Sequence, residues 1–153
     1  MLLHSSVLMF RTDLRYLADH SPEFIDITDD IEAVVIESGI ADGIVTVASQ
    51  HTTAAITVQE NEPLLHQDIC DMLERVAPRD MYYRHDDFDV RVVNMHPNEL
   101  PNGYAHCRQA LLGGGATIPV NGCRLALGQY GRVFLVELDL PRDRNVQVHI
   151  IGI

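Results

Sequence analysis

Apolar residues recur along the chain with two different periods, which predicts a mixture of strands and helices. One predicted helix is capped by Asp26–Asp30 and ends at Gly39, and a second begins at Pro63 and stops at Pro78. Strand-like runs lie around Val7 and Met9 and at 44–48, 54–58, 132–138 and 145–150. Because no strand–helix unit is repeated, the predicted fold class is α+β.

The least regular part of the chain is the polar segment 79–103, which contains Pro97 and Pro101. This segment is predicted to be a functional loop, with a short strand at 88–93 inside it. The three glycines at 113–115 lack the flanks of a phosphate-binding loop and predict a flexible turn. The last two strands are predicted to be antiparallel neighbours because only a short turn separates them.

Length and composition favour one globular domain spanning 1–153. The excess of acidic residues gives a net charge of −11, which opposes binding to nucleic acid or to an anionic membrane. No apolar run approaches the ~20 residues of a membrane span. Met1–His4 lacks the basic start of a signal peptide, so a cytoplasmic location is expected. The three cysteines have no Cys-x-x-Cys spacing and are expected to be reduced.

Three histidines stand among polar residues at the ends of apolar segments, namely His51, His85 and His106. Imidazole ligates metals and moves protons near neutral pH. The pattern therefore favours one site gathered from three parts of the chain, either catalytic or metal-binding, with zinc as the favoured divalent ion. The alternative is that these histidines are structurally satisfied or merely exposed. The remaining histidines receive that structural interpretation: His4, His20, His66, His96 and His149.

Two carboxylates are candidate members of the same site. Asp68 borders the apolar stripe of the second predicted helix, and Glu137 lies on a strand face that is otherwise aliphatic. Glu137 therefore marks a point where this face opens to solvent or where the site begins. A carboxylate in such a place can orient a histidine through its second ring nitrogen. The alternative is structural, as a carboxylate bound by backbone N–H groups or paired with Arg142 or Arg144.

Arg142 and Arg144 flank an acidic residue beside a strand connection. They can hold a phosphate group by charge-assisted hydrogen bonds, with surface ion pairing as the alternative. Cys107 directly follows His106, but adjacent side chains diverge on helices and strands alike, so a Cys–His dyad is not favoured.

An ordered set of segments covers nearly the whole chain: His51-Thr52-Thr53-Ala54-Ala55-Ile56-Thr57, Glu60-Asn61-Glu62, Asp68, Tyr83-Arg84-His85-Asp86-Asp87, His106 and a tail with Pro119, Gly122 and Gly128. In this order they resemble the YjbQ family, also called the secondary thiamine-phosphate synthases. One segment departs from the family, whose Gly-Thr-Trp-Gln is replaced by Gly128-Gln129-Tyr130-Gly131. The departure alters the pocket, and with it substrate choice, if those side chains line it.

The resemblance implies a compact domain with a barrel-like mixed β-sheet and flanking helices, usually assembled as a homotrimer. It also implies a polar pocket around the histidines. Carried over by position, the family pattern singles out His51, Asn61, Asp68, His85, His106, Glu137, Arg142 and Arg144. It implies substrate binding by the asparagine and the two arginines, catalysis by the other residues, and metal ligation by the three histidines.

Two functions of different classes follow. The first is an enzyme that acts on small phosphorylated metabolites. The resemblance implies the joining of a pyrimidine diphosphate to a thiazole phosphate with release of pyrophosphate, and metal-assisted hydrolysis is an alternative chemistry for an imidazole triad. The second is a noncatalytic trimeric protein that captures a metal ion or a phosphorylated metabolite. Binding without turnover would distinguish the second from the first.

Overall fold

The computed structural model describes residues 6–153, so His4 and the rest of Met1–His4 lie outside the described part. The strands are Leu8–Leu17 (β1), Glu23–Asp26 (β2), Gly43–Ser49 (β3), Ala54–Gln59 (β4), Gly115–Asn121 (β5), Arg124–Leu125 (β6), Arg132–Glu137 (β7) and Asp143–Gly152 (β8). The helices are Thr28–Ser38 (α1), Pro63–Val76 (α2) and Gly103–Leu112 (α3), with a 3-10 turn at Arg84–Asp86. Within residues 6–153, no helix is long and apolar enough to cross a membrane.

The strands form two sheets, one ordered β1-β8-β3-β5-β6 and the other β2-β7-β4. Every strand pair described is antiparallel. The sheets curl into a half-barrel with helices packed against it, which confirms the predicted α+β class. Cys70, Cys107 and Cys123 are all free thiols.

The two helices predicted from local signals are confirmed. In α2, the Glu62 side chain accepts hydrogen bonds from the Leu64 and Leu65 N–H groups, and Pro63 occupies the first turn. Helix α1 ends at Gly39, whose φ of 68° lies in the left-handed region that glycine adopts at little cost. Both signals act within a few residues, and this is why the sequence predicts these helix ends.

The prediction that the last two strands pair with each other is wrong. Strand β7 lies between β2 and β4, whereas β8 lies between β1 and β3 in the other sheet. The reason is that β7 is buried on both faces. Val133 and Leu135 pack into the core between the sheets, while Phe134 and Val136 pack into a second core with residues of α2 and α3. A strand that packs against a core on each face takes a central place in its sheet, as β7 does between β2 and β4. The chain then leaves this sheet, and β8 pairs in the other one.

The predicted strand at 88–93 is also wrong, because this segment consists of turns and bends. The helix α3, in contrast, was not predicted. The buried side of α3 is formed by its own residues Tyr104 and Ala105, which pack into the second core. Gly113 and Gly114 form the turn between α3 and β5, with Gly113 at a φ of 95°, and Gly115 begins β5.

Candidate functional site

His85 and His106 meet where the 3-10 turn docks on the start of α3. Asp86 joins the two elements, because its Oδ1 accepts hydrogen bonds of 2.9 Å from the N–H groups of both Asn102 and Gly103. A side chain at position 103 would collide with Tyr83, since a Cβ there would lie 2.5 Å from the Tyr83 Cβ. Glycine thus allows the close approach that brings the two imidazole rings edge to face, with centroids 4.5 Å apart.

The two rings line a polar cavity of about 500 Å³. A smaller cavity of about 230 Å³ shares three of its lining residues, His96, Glu99 and Asn102, and extends to Arg142. The lining of the larger cavity is Thr52, His85, Arg91, Asn94, His96, Glu99, Asn102 and His106. Its walls therefore come from the predicted functional loop, from the start of α3 and from the segment that follows His51.

His85 is held in one tautomer by Arg91. The Arg91 guanidinium lies 3.1 Å from His85 Nε2, and because arginine can only donate, this nitrogen accepts and the ring proton is on Nδ1. Arg91 also pairs with Glu99 at 2.5 Å, and this hydrogen bond is the main influence that lowers the pKa of the Glu99 carboxyl. The guanidinium charge in the cavity wall is thus partly balanced.

His106 is the least constrained of the three predicted histidines. Within residues 6–153, its ring nitrogens have no hydrogen-bond partner, and the ring is half-buried against His85. Burial lowers the pKa of His106, and His85, when it is protonated, and Arg91 lower it further, against opposite effects of Asp139 and Glu99. A neutral imidazole has one ring nitrogen with a lone pair. Because no described group bonds to the ring nitrogens of His106, that nitrogen is free to accept a proton.

His51 lies behind the cavity wall, next to Thr52. Its Nε2 accepts a 2.9 Å hydrogen bond from the backbone N–H of Asn145, which places the ring proton on Nδ1. Burial lowers the pKa of His51, and Arg144 adds to this effect, while Glu137 opposes it. A metal bound at Nε2 would have to displace the Asn145 hydrogen bond, and one bound at Nδ1 would turn Nε2 into a donor facing another donor.

Glu137 and Arg144 form a buried ion pair behind His51. Their side chains are 0 % and 2 % exposed, and the Arg144 guanidinium contacts the carboxylate at 2.5 and 2.6 Å. Glu137 Oε1 also accepts hydrogen bonds from the N–H groups of Leu138 and Asp139. The strand face of Glu137 therefore does not open to solvent, and both features of the structural alternative, N–H bonding and pairing with Arg144, are present.

Arg142 differs from Arg144 because its guanidinium reaches the smaller cavity. It pairs with Asp139 at 2.7 Å, yet nearly half of its side chain is exposed. Of the two arginines predicted to bind phosphate, only Arg142 therefore has N–H groups that a ligand can reach without breaking a buried ion pair.

The remaining predicted residues lie elsewhere. Asp68 borders the apolar stripe of α2 as predicted by the sequence, but its side chain is exposed, so water solvates the carboxylate. Asn61 donates to Asp26 Oδ2 at 3.1 Å, in a cluster with Arg132. Tyr130, which stands where the family has tryptophan, is exposed and bonded to Gln129. None of these side chains lines the cavities beside His106.

Sequence reasoning missed Arg91, Glu99 and Asn102. Each depends on a partner that local pattern does not specify: Arg91 on His85, Glu99 on Arg91, and Asn102 on Asp139. Their only signal in the sequence was their position within the polar segment 79–103. That segment predicted a functional loop but did not show which of its side chains line the cavity.

A metal site is not preformed in this arrangement. Among residues 6–153, no group of three or more His, Cys, Asp or Glu side chains is placed to hold a metal ion. Two imidazoles at His85 and His106 supply fewer ligands than the three or four of usual zinc sites. Zinc binding stays a prediction.

The lowered pKa values of His51 and His106 predict that acid destabilises the protein. In the native state both rings resist protonation, while the unfolded chain binds protons near pH 6.5, the ordinary histidine pKa. The unfolded state thus holds more protons, and the free energy of unfolding should fall as the pH drops below roughly 6.5. Denaturant titrations at several pH values between 5 and 8 would measure this slope.

The matching variant is His106→Gln, which removes one of the two titrating groups and should flatten the slope. Carboxylates with lowered pKa values, such as Asp26 and Glu99, titrate below this window and do not interfere. Stability that is independent of pH between 8 and 5 would contradict the expected burial of the two rings.

The fold and the cavity together define a class of protein, a small half-barrel α+β domain with a polar, histidine-lined cavity at the start of its last helix. A sequence model of the UPF0047 protein YjbQ-like family matches residues 13–153. The chain belongs to this family, which confirms the resemblance seen in the segment that begins at His51.

Known relatives match this chain along most of their length. A UPF0047 protein of Methanothermobacter thermautotrophicus is 40 % identical over 130 residues, which cover 85 % of this chain and 83 % of the relative. The UPF0047 protein YugU of Bacillus subtilis is 30 % identical, with 85 % and 90 % covered. The crystal structure of a YbjQ-like protein of unknown function from Sulfolobus solfataricus superposes with a TM-score of 0.86 at 31 % identity, covering 97 % of this chain and all of that one.

Proposed function

We propose that the protein is an enzyme whose active site is the cavity of His85 and His106, and that it acts on small phosphorylated metabolites. The observation that carries the proposal is the free ring of His106, half-buried in a polar cavity beside a second imidazole. Its lowered pKa keeps it neutral at physiological pH, as a general base requires. Because no described side chain occupies its ring nitrogens, His106 can bond a ligand without breaking an existing hydrogen bond.

The two histidines have complementary states. His85 accepts from Arg91 at Nε2 and so carries its proton on Nδ1, which makes it a donor toward a ligand. His106 offers a lone pair. One imidazole can therefore stabilise an anionic oxygen while the other removes a proton, a division of labour that general acid–base catalysis requires.

The cavities also contain groups that suit an anion. Arg91 and Arg142 each present a guanidinium in the wall, although each is already paired with a carboxylate. Arginine has five N–H donors, so the carboxylate partner of Arg142 leaves others for phosphate oxygens, whereas most donors of Arg91 are taken by Glu99 and loop carbonyl oxygens. A volume of about 500 Å³ admits a metabolite of modest size rather than a polymer.

The test is to follow the histidine ring signals by NMR while inorganic phosphate and simple phosphate esters are added. The proposal expects the signals of His85 and His106 to shift together in a saturable manner, while the signals of the exposed His20 stay in place. Saturable binding that shifts only the His20 signals, or no binding at millimolar phosphate, would overturn the proposed active site. The condensation of a pyrimidine diphosphate with a thiazole phosphate is one reaction to include in the turnover assays.

Metal content can be measured on the same protein, purified without an affinity tag. Near-stoichiometric zinc that is lost in both His85→Ala and His106→Ala would place a metal in this cavity and support metal-assisted chemistry. Protein that turns over substrate with no bound metal would leave the imidazoles as the acid and base.

We also propose that the chain assembles as a homotrimer through the outer face of the five-stranded sheet. Four apolar side chains lie side by side across this face, in the register Met9, Ile151, Ile44 and Pro119. All four are exposed, Met9 by 71 %. Beside this row, the Nε2 of His149 is buried without a partner in the described chain. An apolar row of this kind suits burial against copies of the same chain.

Replacing Ile44 by glutamate should dissociate the assembly, because it places a charge in the centre of the apolar row. Sedimentation is expected to give about three times the chain mass of 17.1 kDa for the native protein and a single chain mass for Ile44→Glu. Ile36→Glu is the matched control, since Ile36 is also exposed but lies on α1. A native protein that sediments as one chain at micromolar concentration would contradict the trimer.

A further inference from the structure

Asn102 occupies the N-cap position of α3, but its side chain does not cap the helix. Asparagine is among the residues preferred at this position because its side-chain oxygen accepts from the first helical N–H groups. Here the nearby carboxylate of Asp86 instead accepts from the N–H groups of Asn102 and Gly103. The Asn102 amide is thereby available for another contact.

The orientation of that amide is fixed by Asp139. Asn102 Nδ2 donates to Asp139 Oδ2 at 3.2 Å, and the same oxygen accepts from Arg142. Turning the amide over would set Oδ1 against a carboxylate oxygen, which is repulsive, so Oδ1 must point away from Asp139. In this orientation Oδ1 is buried and has no hydrogen-bond partner within the described chain.

Asn102 lies where the two cavities adjoin. Together with His96 and Glu99, Asn102 lines both cavities, and so it stands between the imidazole pair and Arg142. A ligand that extends from the cavity of His106 into the cavity of Arg142 would lie against these shared residues. A buried acceptor without a donor is costly, and a bound group that supplies the donor removes this cost.

We infer that Asn102 is a specificity-determining residue, whose Oδ1 accepts a hydrogen bond from an O–H or N–H group of the substrate. The inference rests on the proposed function and deepens it by narrowing the substrate class. The substrate is a phosphorylated metabolite that carries a hydroxyl or amino group close to its phosphate, rather than a purely hydrocarbon phosphate ester. A site built to bond a hydroxyl discriminates strongly against an analogue that lacks it.

The test uses two ligands of nearly equal size and charge, 2-hydroxyethyl phosphate and 2-fluoroethyl phosphate. Only the first can donate to Asn102. Calorimetric titration of the native protein is expected to give roughly tenfold tighter binding of the hydroxyl compound, the order expected for pairing a buried acceptor. In Asn102→Leu the ratio of the two dissociation constants should fall close to one. The control is Asn121→Leu, which replaces an exposed asparagine at the end of β5 and should leave that ratio unchanged.

The outcomes separate this inference from the function on which it rests. Equal binding of the two ligands by the native protein, as expected if water already satisfies Oδ1, would overturn the role of Asn102 but leave the cavity as a phosphate site. Failure of both ligands to bind, with no shift of the His85 and His106 signals, would overturn both. If Asn102→Leu does not fold, the role of Asn102 is tested with Asn102→Ala and with the ratio of the two dissociation constants in the native protein.

Discussion

His106→Gln should lose turnover on any phosphorylated substrate of this protein by a factor of ~100 or more, the usual contribution of a general base. Glutamine keeps a polar side chain of similar reach but cannot take up a proton. Binding of phosphate should change much less, because Arg142 and His85 remain in place. The measurement is a comparison of kcat with the ligand dissociation constant over a panel of phosphate monoesters and diphosphates.

The control is His20→Gln, which replaces an exposed histidine outside the cavity and should leave turnover unchanged. The pH profile gives an independent check. Because burial and neighbouring charges lower the pKa of His106, the acid limb of the profile should lie below the ordinary histidine value of roughly 6.5. A His106→Gln variant with native kcat would remove His106 from the chemistry.

Arg144→Met should lower the free energy of unfolding by about 3–5 kcal/mol, the cost of leaving a buried charge without its partner. The Glu137 carboxylate is 0 % exposed and would keep only its two backbone N–H donors and lose both contacts with the guanidinium. Urea denaturation monitored by circular dichroism would measure the loss.

Two companion variants separate charge from packing. Glu137→Gln combined with Arg144→Met should recover a large part of the stability, because glutamine is neutral and its oxygen still accepts from the Leu138 and Asp139 N–H groups. Arg15→Met should change stability by less than ~0.5 kcal/mol, since its pair with Asp143 is exposed and 3.9 Å long. A loss of less than ~1 kcal/mol in Arg144→Met would show that water reaches the pair.

The parts of the fold that the sequence predicts well are those with signals inside a few residues. Pro63 and Gly39 mark helix ends because proline fixes φ at a value that suits the first helical turn, whereas glycine adopts the left-handed conformation at a helix end with little cost. The positions of β7 and β8 depend instead on which faces become buried, and an alternating strand pattern does not reveal that β7 separates two cores. Helix α3 was missed because its apolar contacts, such as those of Tyr104, appear only once the second core forms.

The candidate site divides in the same way. His85 and His106 could be selected from residue type and polar surroundings alone, and the structure brings them together. Asp68 was selected from its place beside an apolar stripe, but the helix turns it toward solvent. Asn102 could not be selected, because its significance lies in an oxygen that has no partner, and this follows from the contacts of Asp86 and Asp139 rather than from the asparagine itself.

Arg91 has a further consequence for how the cavity opens. Its guanidinium bonds to the carbonyl oxygens of His85, Val93 and Asn94 and to the Glu99 carboxylate, so one side chain ties together most of the wall that covers the imidazole pair. A lysine, with one ammonium group, cannot reproduce this planar set of donors. These four positions of the loop are therefore held together by one side chain. Removing that one side chain would release all four loop positions beside His106 at once, while the strands of the half-barrel would keep their own pairing.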